Sequence, residues 1–230
     1  MKHILVPTDF SENSWKALAY AIQFFEKETC SFYILHIGHL KESVINGNSF
    51  AFPTKKISSS IKEKLTAVFK RIEGLPANEK HHFSALQEYG NFIDIVRKTV
   101  EEKKIDLMVM GTKGASGLKA AIVGSNTGDV ITKVLCNVLV IPENAMFRKP
   151  EKIAFPTDYN LFYTYPILES LTELLGISHA DLQVFNVTQG TTPLTTTQVT
   201  NKTYLKDYLE ETFPDTHNFH RVRDKNIKSA

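Results

Sequence analysis

The sequence predicts an open α/β fold: a parallel five-stranded sheet with helices on both faces, followed by a partial second copy of the same unit. Three observations carry this expectation. Short apolar runs alternate with segments of helical period, the pattern of strands joined by right-handed crossover helices. A glycine-rich turn follows the fourth apolar run, at Asp106–Ser125 (D-L-M-V-M-G-T-K-G-A-S-G-L-K-A-A-I-V-G-S). Finally, I-A-F-P-T-D-Y at 153–159 repeats I-L-V-P-T-D-F at 4–10, so that Asp158 answers Asp9 at an offset of 149 residues.

The elements follow in order. His3–Pro7 reads as a strand, closed by Pro7 because proline cannot donate to a ladder. Ser11 is a good N-cap for a helix over 14–26, with Trp15, Leu18, Ala19, Ile22 and Phe25 at helical spacing. Ser31–Ile37 is almost continuously apolar and so reads as a strand covered on both faces. The polar stretch containing Gly47 and Pro53 reads as a long loop. Ile57, Ile61, Leu65, Val68, Phe69 and Ile72 mark a helix stopped by Gly74 and Pro76. His82–Tyr89 alternates and reads as a third strand. Gly90-Asn91 then turns into a helix carrying Ile93, Val96 and Val100. Leu107–Met110 is the fourth strand, Asn126–Leu135 the fourth helix, and Val138–Ile141 the fifth strand, stopped by Pro142.

The division expected is residues 1–143 and 151–230, with a linker at Glu143–Pro150. In the second part, Leu182–Val187 repeats the second strand, Asn201–Phe213 the second helix, and Phe219–Val222 opens a third strand. With Ala230 as the last residue, this copy reads as about half a domain. It has no glycine loop, and the expectation is that it packs as a partner for the first copy.

Composition narrows the classes of function. The chain has 230 residues, 42% hydrophobic and 23% charged, with a net charge of +2. This is ordinary for a globular protein and gives no ground for a nucleic-acid or membrane partner. The apolar runs are too short to span a bilayer, and Met1-Lys2-His3 leads into a strand without a signal-peptide pattern. Cys30 and Cys136 lie far apart, with no metal-ligand spacing, and read as buried thiols in a reducing compartment. The expected location is cytoplasmic.

The chemistry concentrates at the glycine-rich turn. A strand, a turn poor in side chains and a helix start form the arrangement that cradles phosphate, because bare amides and the positive end of the helix dipole meet the anion. Open parallel sheets bind ligands beyond the carboxyl ends of their strands, where the strand order reverses. If the first and fourth strands are neighbours at that reversal, Asp9 and the glycine loop share one crevice.

On the V-P-T-D-F-S opening, the L-H-I that ends the second strand, and D-L-M-V-M-G followed by G-x2-G-x9-G-S (Gly111, Gly114, Gly124, Ser125), the chain resembles the universal stress protein family. The resemblance is to the tandem form, with a first domain of the ATP-binding type and a truncated second domain. It covers residues 2–142 well and 152–222 in part. It implies the strand order 3-2-1-4-5 and a stress-response regulatory protein with ATP held between the end of the first strand and the glycine loop. ATP and AMP are not distinguished, and a Mg²⁺ ion between phosphates is compatible with the pattern. In this view Pro7 and Thr8 lead to Asp9, which holds the ribose or lies beside the adenine. Ile37 meets the adenine with its backbone. Met110 leads to Gly111 and Gly114, which pass under the ribose and α-phosphate. Gly124, Ser125 and Asn126 bind the outer phosphates. Pairing would be between copies of the chain or between its two domains.

Two other functions were weighed against ATP binding. His36-Ile37-Gly38-His39 spells the HIGH signature of adenylyl-transferring enzymes, but it follows the second strand rather than the first and has no K-M-S-K-S partner. A scaffold acting only by protein contact would be expected to have a broken glycine loop, whereas this one is intact. No nucleophile–base pair or paired carboxylates can be placed in one site, and no G-x-x-x-x-G-K-[ST] loop is present. Catalysis is therefore expected to be at most slow ATP hydrolysis. His81-His82, adjacent on a strand, point to opposite faces and cannot chelate one ion together.

Overall fold

The computed structural model describes residues 1–38, 41–45, 48–52, 59–112, 124–188 and 193–223. The chain divides into two compact units, Met1–Phe147 and Arg148–Ala230.

The first unit runs β1 (Lys2–Pro7), α1 (Glu12–Phe24), β2 (Cys30–Gly38), β3 (Lys41–Ile45), β4 (Asn48–Phe52), α2 (Ser59–Glu73), β5 (His81–Tyr89), α3 (Phe92–Lys103), β6 (Leu107–Thr112), α4 (Ser125–Lys133) and β7 (Asn137–Pro142). Its main sheet has the order β5-β2-β1-β6-β7, with every pairing parallel. This is the 3-2-1-4-5 order that the resemblance implies. The order reverses between β1 and β6, whose register pairs Ile4 with Leu107 and Leu5 with Met108. β1 is central, and Ile4, Leu5 and Val6 are fully buried. A parallel strand covered on both faces needs such an unbroken apolar run. Leu5, Leu35 and Met108 from the sheet pack with Val96 of α3 and Val130 of α4 on one side.

Local chemistry sets the helix ends. Ser11 caps α1 by accepting from Ser14 N at 3.2 Å, and Asn91 caps α3 by accepting from Ile93 and Asp94 amides. The stretch expected to be one long loop contains the antiparallel pair β3–β4, in which Ile45 pairs with Asn48. The pair is short, five residues in each strand. The competing signal, a polar composition broken by glycine and proline, obscured it.

The second unit runs β8 (Lys152–Pro156), α5 (Tyr165–Ser178), β9 (Asp181–Thr188), α6 (Thr196–Thr212) and β10 (His217–Arg223), with the parallel order β10-β9-β8. Leu168, Leu171 and Leu175 of α5 pack with Leu182, Val184, Leu205 and Leu209 to form its core. α5 is not among the elements expected from the sequence, although those leucines stand at helical spacing. α6 begins among the threonines at 195–197. Thr195 and Gln198 form the capping box that starts it.

One buried group ties stability of the first unit to pH. His81 on β5 lies against Phe32, ring centroids 5.0 Å apart, and its Nε2–H donates to the Phe25 carbonyl at 3.0 Å. Its Nδ1 is buried with no partner. Protonation would add an N–H at that buried nitrogen. Burial, the largest influence, holds the imidazole below its ordinary 6.5 against the opposing pull of the Phe25 and Glu28 backbone. The unfolded chain therefore takes up this proton before the folded one does. Stability is expected to fall as pH drops below 6.5 and on through the folded value. Urea midpoints measured from about pH 7 to 5, above most carboxylate titrations, should decline for the natural chain and be flatter for His81→Gln. Equal slopes would contradict this account.

Candidate functional site

At the reversal point, beyond the carboxyl ends of β2, β1 and β6, lies a crevice of about 410 Å³. Pro7, Thr8, Asp9, Ile37, Met110, Gly111, Gly124, Ser125 and Asn126 all line it. Gly114 lies outside the described residues. The structure adds further lining residues that had not been expected, among them Ser11, Asn13 and Ser14 from the start of α1, His36 from β2, Gly90 and Phe92 at the start of α3, and Thr127 of α4. A helix start with small polar residues, S-E-N-S at 11–14, was a signal for the first group.

The loop after β1 is tightly determined. Thr8 N donates to Leu35 O at 2.8 Å, and Phe10 N donates back to Thr8 Oγ1 at 3.0 Å. Phe10 is thereby held at φ +65°, a left-handed conformation costly for a bulky aromatic residue. The turn carries Asp9 to the crevice. Partial burial works against ionising Asp9, but hydrogen bonds from the Ser11 hydroxyl (2.5 Å) and amide (3.0 Å) outweigh it. Its carboxyl sits below the usual carboxylate range, so it is charged at neutral pH.

The opposite wall is the start of α4. Its N-cap is Gly124, with no side-chain hydrogen bond to the first turn and no acidic residue in that turn. The first amides of a helix have no intrahelical acceptor, so those of Ser125 and Asn126 remain for a ligand. Thr127 Oγ1 donates to Gly111 O at 3.1 Å and fixes the helix start against the end of β6. Gly111 has a second role. A Cβ there would come within 2.7–2.8 Å of the Asn13 amide group, so glycine lets α1 close onto β6. Asn13 Oδ1 is buried there without a partner.

Electrostatically the site is unusual. Helix starts of α1, α3 and α4 all line it, and their positive dipole ends favour an anion. Asp9 is the one carboxylate among the described lining residues, and no lysine or arginine is among them. Nor do the described residues contain a group of three or more His, Cys, Asp or Glu able to hold a metal. Gly38, within the HIGH run, is explained by packing: a Cβ there would meet the Tyr89 ring at 2.8 Å. His39 lies outside the described residues.

The model of the universal stress protein family matches residues 1–142. The chain belongs to the universal stress protein family. Universal stress protein MJ0531 of Methanocaldococcus jannaschii is 29% identical over 170 residues, covering 66% of this chain and 84% of that protein. Among solved structures, a universal stress protein from Archaeoglobus fulgidus covers 96% of this chain and 78% of its own at a TM-score of 0.61 and 16% identity, a likeness of fold. A universal stress protein solved in complex with cAMP covers 62% of this chain and 98% of its own at a TM-score of 0.45 and 21% identity.

Within this universal stress protein the second unit keeps the first half of the site's frame. Thr157 N donates to Phe185 O (2.8 Å), Tyr159 N donates to Thr157 Oγ1 (3.0 Å), and Tyr159 stands at φ +60°. Its own side chains then cover the loop. Gln198 Nε2 donates to Asp158 O at 2.8 Å and Asn201 Nδ2 to Tyr159 O at 2.9 Å. Tyr163, at the position matching Ser14, is 3% exposed and meets Thr157 Oγ1 at 2.6 Å.

Proposed function

We propose that this chain is an ATP-binding regulatory protein of the stress response, with the nucleotide held in the crevice of the first unit. The observation that carries the reading is the uncapped start of α4, whose free amides open onto the crevice opposite Asp9. Leu35, Ile37 and Met110 offer apolar contact for a base, with the backbone of Ile37 at its edge. Asp9 stands where a ribose hydroxyl can donate to it. Gly111 gives the room for the backbone to pass under ribose and α-phosphate, a role the family resemblance extends to Gly114, and Gly124, Ser125 and Asn126 take the outer phosphates. With so few carboxylates present, a Mg²⁺ ion would be held mainly by the phosphates themselves.

The site is built for binding rather than chemistry, so occupancy would signal through the loops that it orders. The repeated loop at Thr157–Tyr159 supports a tandem form, with domains at 1–143 and 151–230 and the second domain acting by contact. Burial pushes the thiols of Cys30 and Cys136 up to about 11, which keeps them inert and suits cytoplasmic residence. No helix among the described residues is long and apolar enough to cross a membrane.

The test is a thermal shift on nucleotide-stripped protein with ATP and Mg²⁺ at millimolar concentration. A ligand at a hundredfold excess over its Kd stabilises by about 2.7 kcal/mol, which should raise the melting temperature by several degrees. AMP, lacking the outer phosphates, should raise it less. No shift with either nucleotide would refute the reading.

A further inference from the structure

The two units share a hydrogen bond whose donor differs in kind. The carbonyl of Thr8 accepts from His36 Nδ1 at 3.0 Å, and the carbonyl of Thr157 accepts from Asn186 Nδ2, also at 3.0 Å. Each donor is the residue after the one whose carbonyl receives the threonine amide, Leu35 and Phe185 respectively. The loops they hold match in the threonine hydroxyl bridge and in the left-handed aromatic residue. A backbone conformation of that cost persists only where its surroundings over-determine it.

We propose that His36 is a positioning residue for the crevice, needed as a hydrogen-bond donor to the Thr8 carbonyl and not as a proton carrier. The inference rests on the crevice being the nucleotide site. A carbonyl only accepts, so Nδ1 must carry the hydrogen. That bond, with the His36 ring 4.5 Å from the Phe10 ring, keeps Phe10 in its left-handed state and so holds Asp9 and Ser11 at the crevice. Asparagine does the same work in the second unit without a ring. Histidine at the head of the HIGH run is thereby accounted for by geometry. Adenylyl transfer would require the imidazole itself.

Three proteins decide it: the natural chain, His36→Asn and His36→Leu, with ATP affinity read by calorimetry and folding by thermal melting. His36→Asn should bind within roughly threefold of the natural chain, whereas His36→Leu, leaving the carbonyl unpaired, should bind about tenfold or more weakly. In the natural chain, ¹⁵N spectra of the neutral ring should place the proton on Nδ1. Undiminished binding by His36→Leu, binding by His36→Asn as weak as by His36→Leu, or a proton on Nε2 would each overturn the proposal. Should the natural chain bind no nucleotide, the functional reading fails separately. The ring tautomer and the melting order, natural chain and His36→Asn above His36→Leu, then still judge the His36 bridge.

Discussion

Replacing Gly124 by valine is expected to weaken ATP binding at least a hundredfold, about 2.7 kcal/mol, while the fold survives. Gly124 stands at φ −58° and ψ 151°, an extended conformation open to any residue, so valine meets no backbone strain there. Exchanging one N-cap lacking a capping side chain for another costs about 1 kcal/mol or less. Binding should suffer far more. Two methyl groups would stand at the entrance to the Ser125 and Asn126 amides, the groups that have no other acceptor. The ATP-induced thermal shift should vanish, with the melting temperature in buffer within a few degrees of the natural chain. Gly124→Ala should lie between the two. Undiminished ATP affinity in Gly124→Val would mean that the phosphates do not sit at the start of α4.

The valine argument draws on what the sequence showed clearly. A glycine after an apolar strand and before a helical pattern marks both the turn and the helix start, so Gly111 and Gly124 could be placed before any coordinates. Ser11 announced its helix in the same way. The alternation of strands and helices determined the class of sheet, and the strand order came from the resemblance, since nothing in periodicity says which parallel strands are neighbours. Two of the crevice residues missed take their role from long-range geometry. His36 reaches Thr8 across 28 positions, and Asn13 meets Gly111 only because α1 folds back over β6. Neither contact has a local signature. The antiparallel pair β3–β4 was hidden by a different effect, because short strands of mixed polarity look like loop. The repeat at Thr157–Asp158 was legible as letters. That the second unit's own Gln198, Asn201 and Tyr163 close over it was not, since α6 brings two of them from 40 and 42 residues away.

Truncating Phe32 to alanine should destabilise the first unit by about 3–5 kcal/mol, the cost of removing a large aromatic from a closed core. Phe32 is fully buried in the middle of β2, paired with Ile4 of β1 and Phe83 of β5. It stacks on the Phe83 ring at 5.2 Å and meets the His81 ring edge-on at 5.0 Å. The three neighbouring strands are held in register by their ladder hydrogen bonds here, so they cannot shift far enough to fill the space. Against a total stability of about 5–15 kcal/mol the loss is large and should lower the urea midpoint sharply. The position also separates stability from binding. Phe32 lies three residues before Leu35, on the strand but short of its carboxyl end, and it does not line the crevice. At low urea, where the variant is still folded, its ATP affinity should stay close to that of the natural chain. The His81 ring, relieved of its aromatic neighbour, should hydrate more readily, so the dependence of stability on pH should flatten along with the midpoint. A loss below about 1 kcal/mol would show that the core re-closes around the gap. Lost ATP binding in the folded variant would show that the sheet's middle and its carboxyl end are not independent.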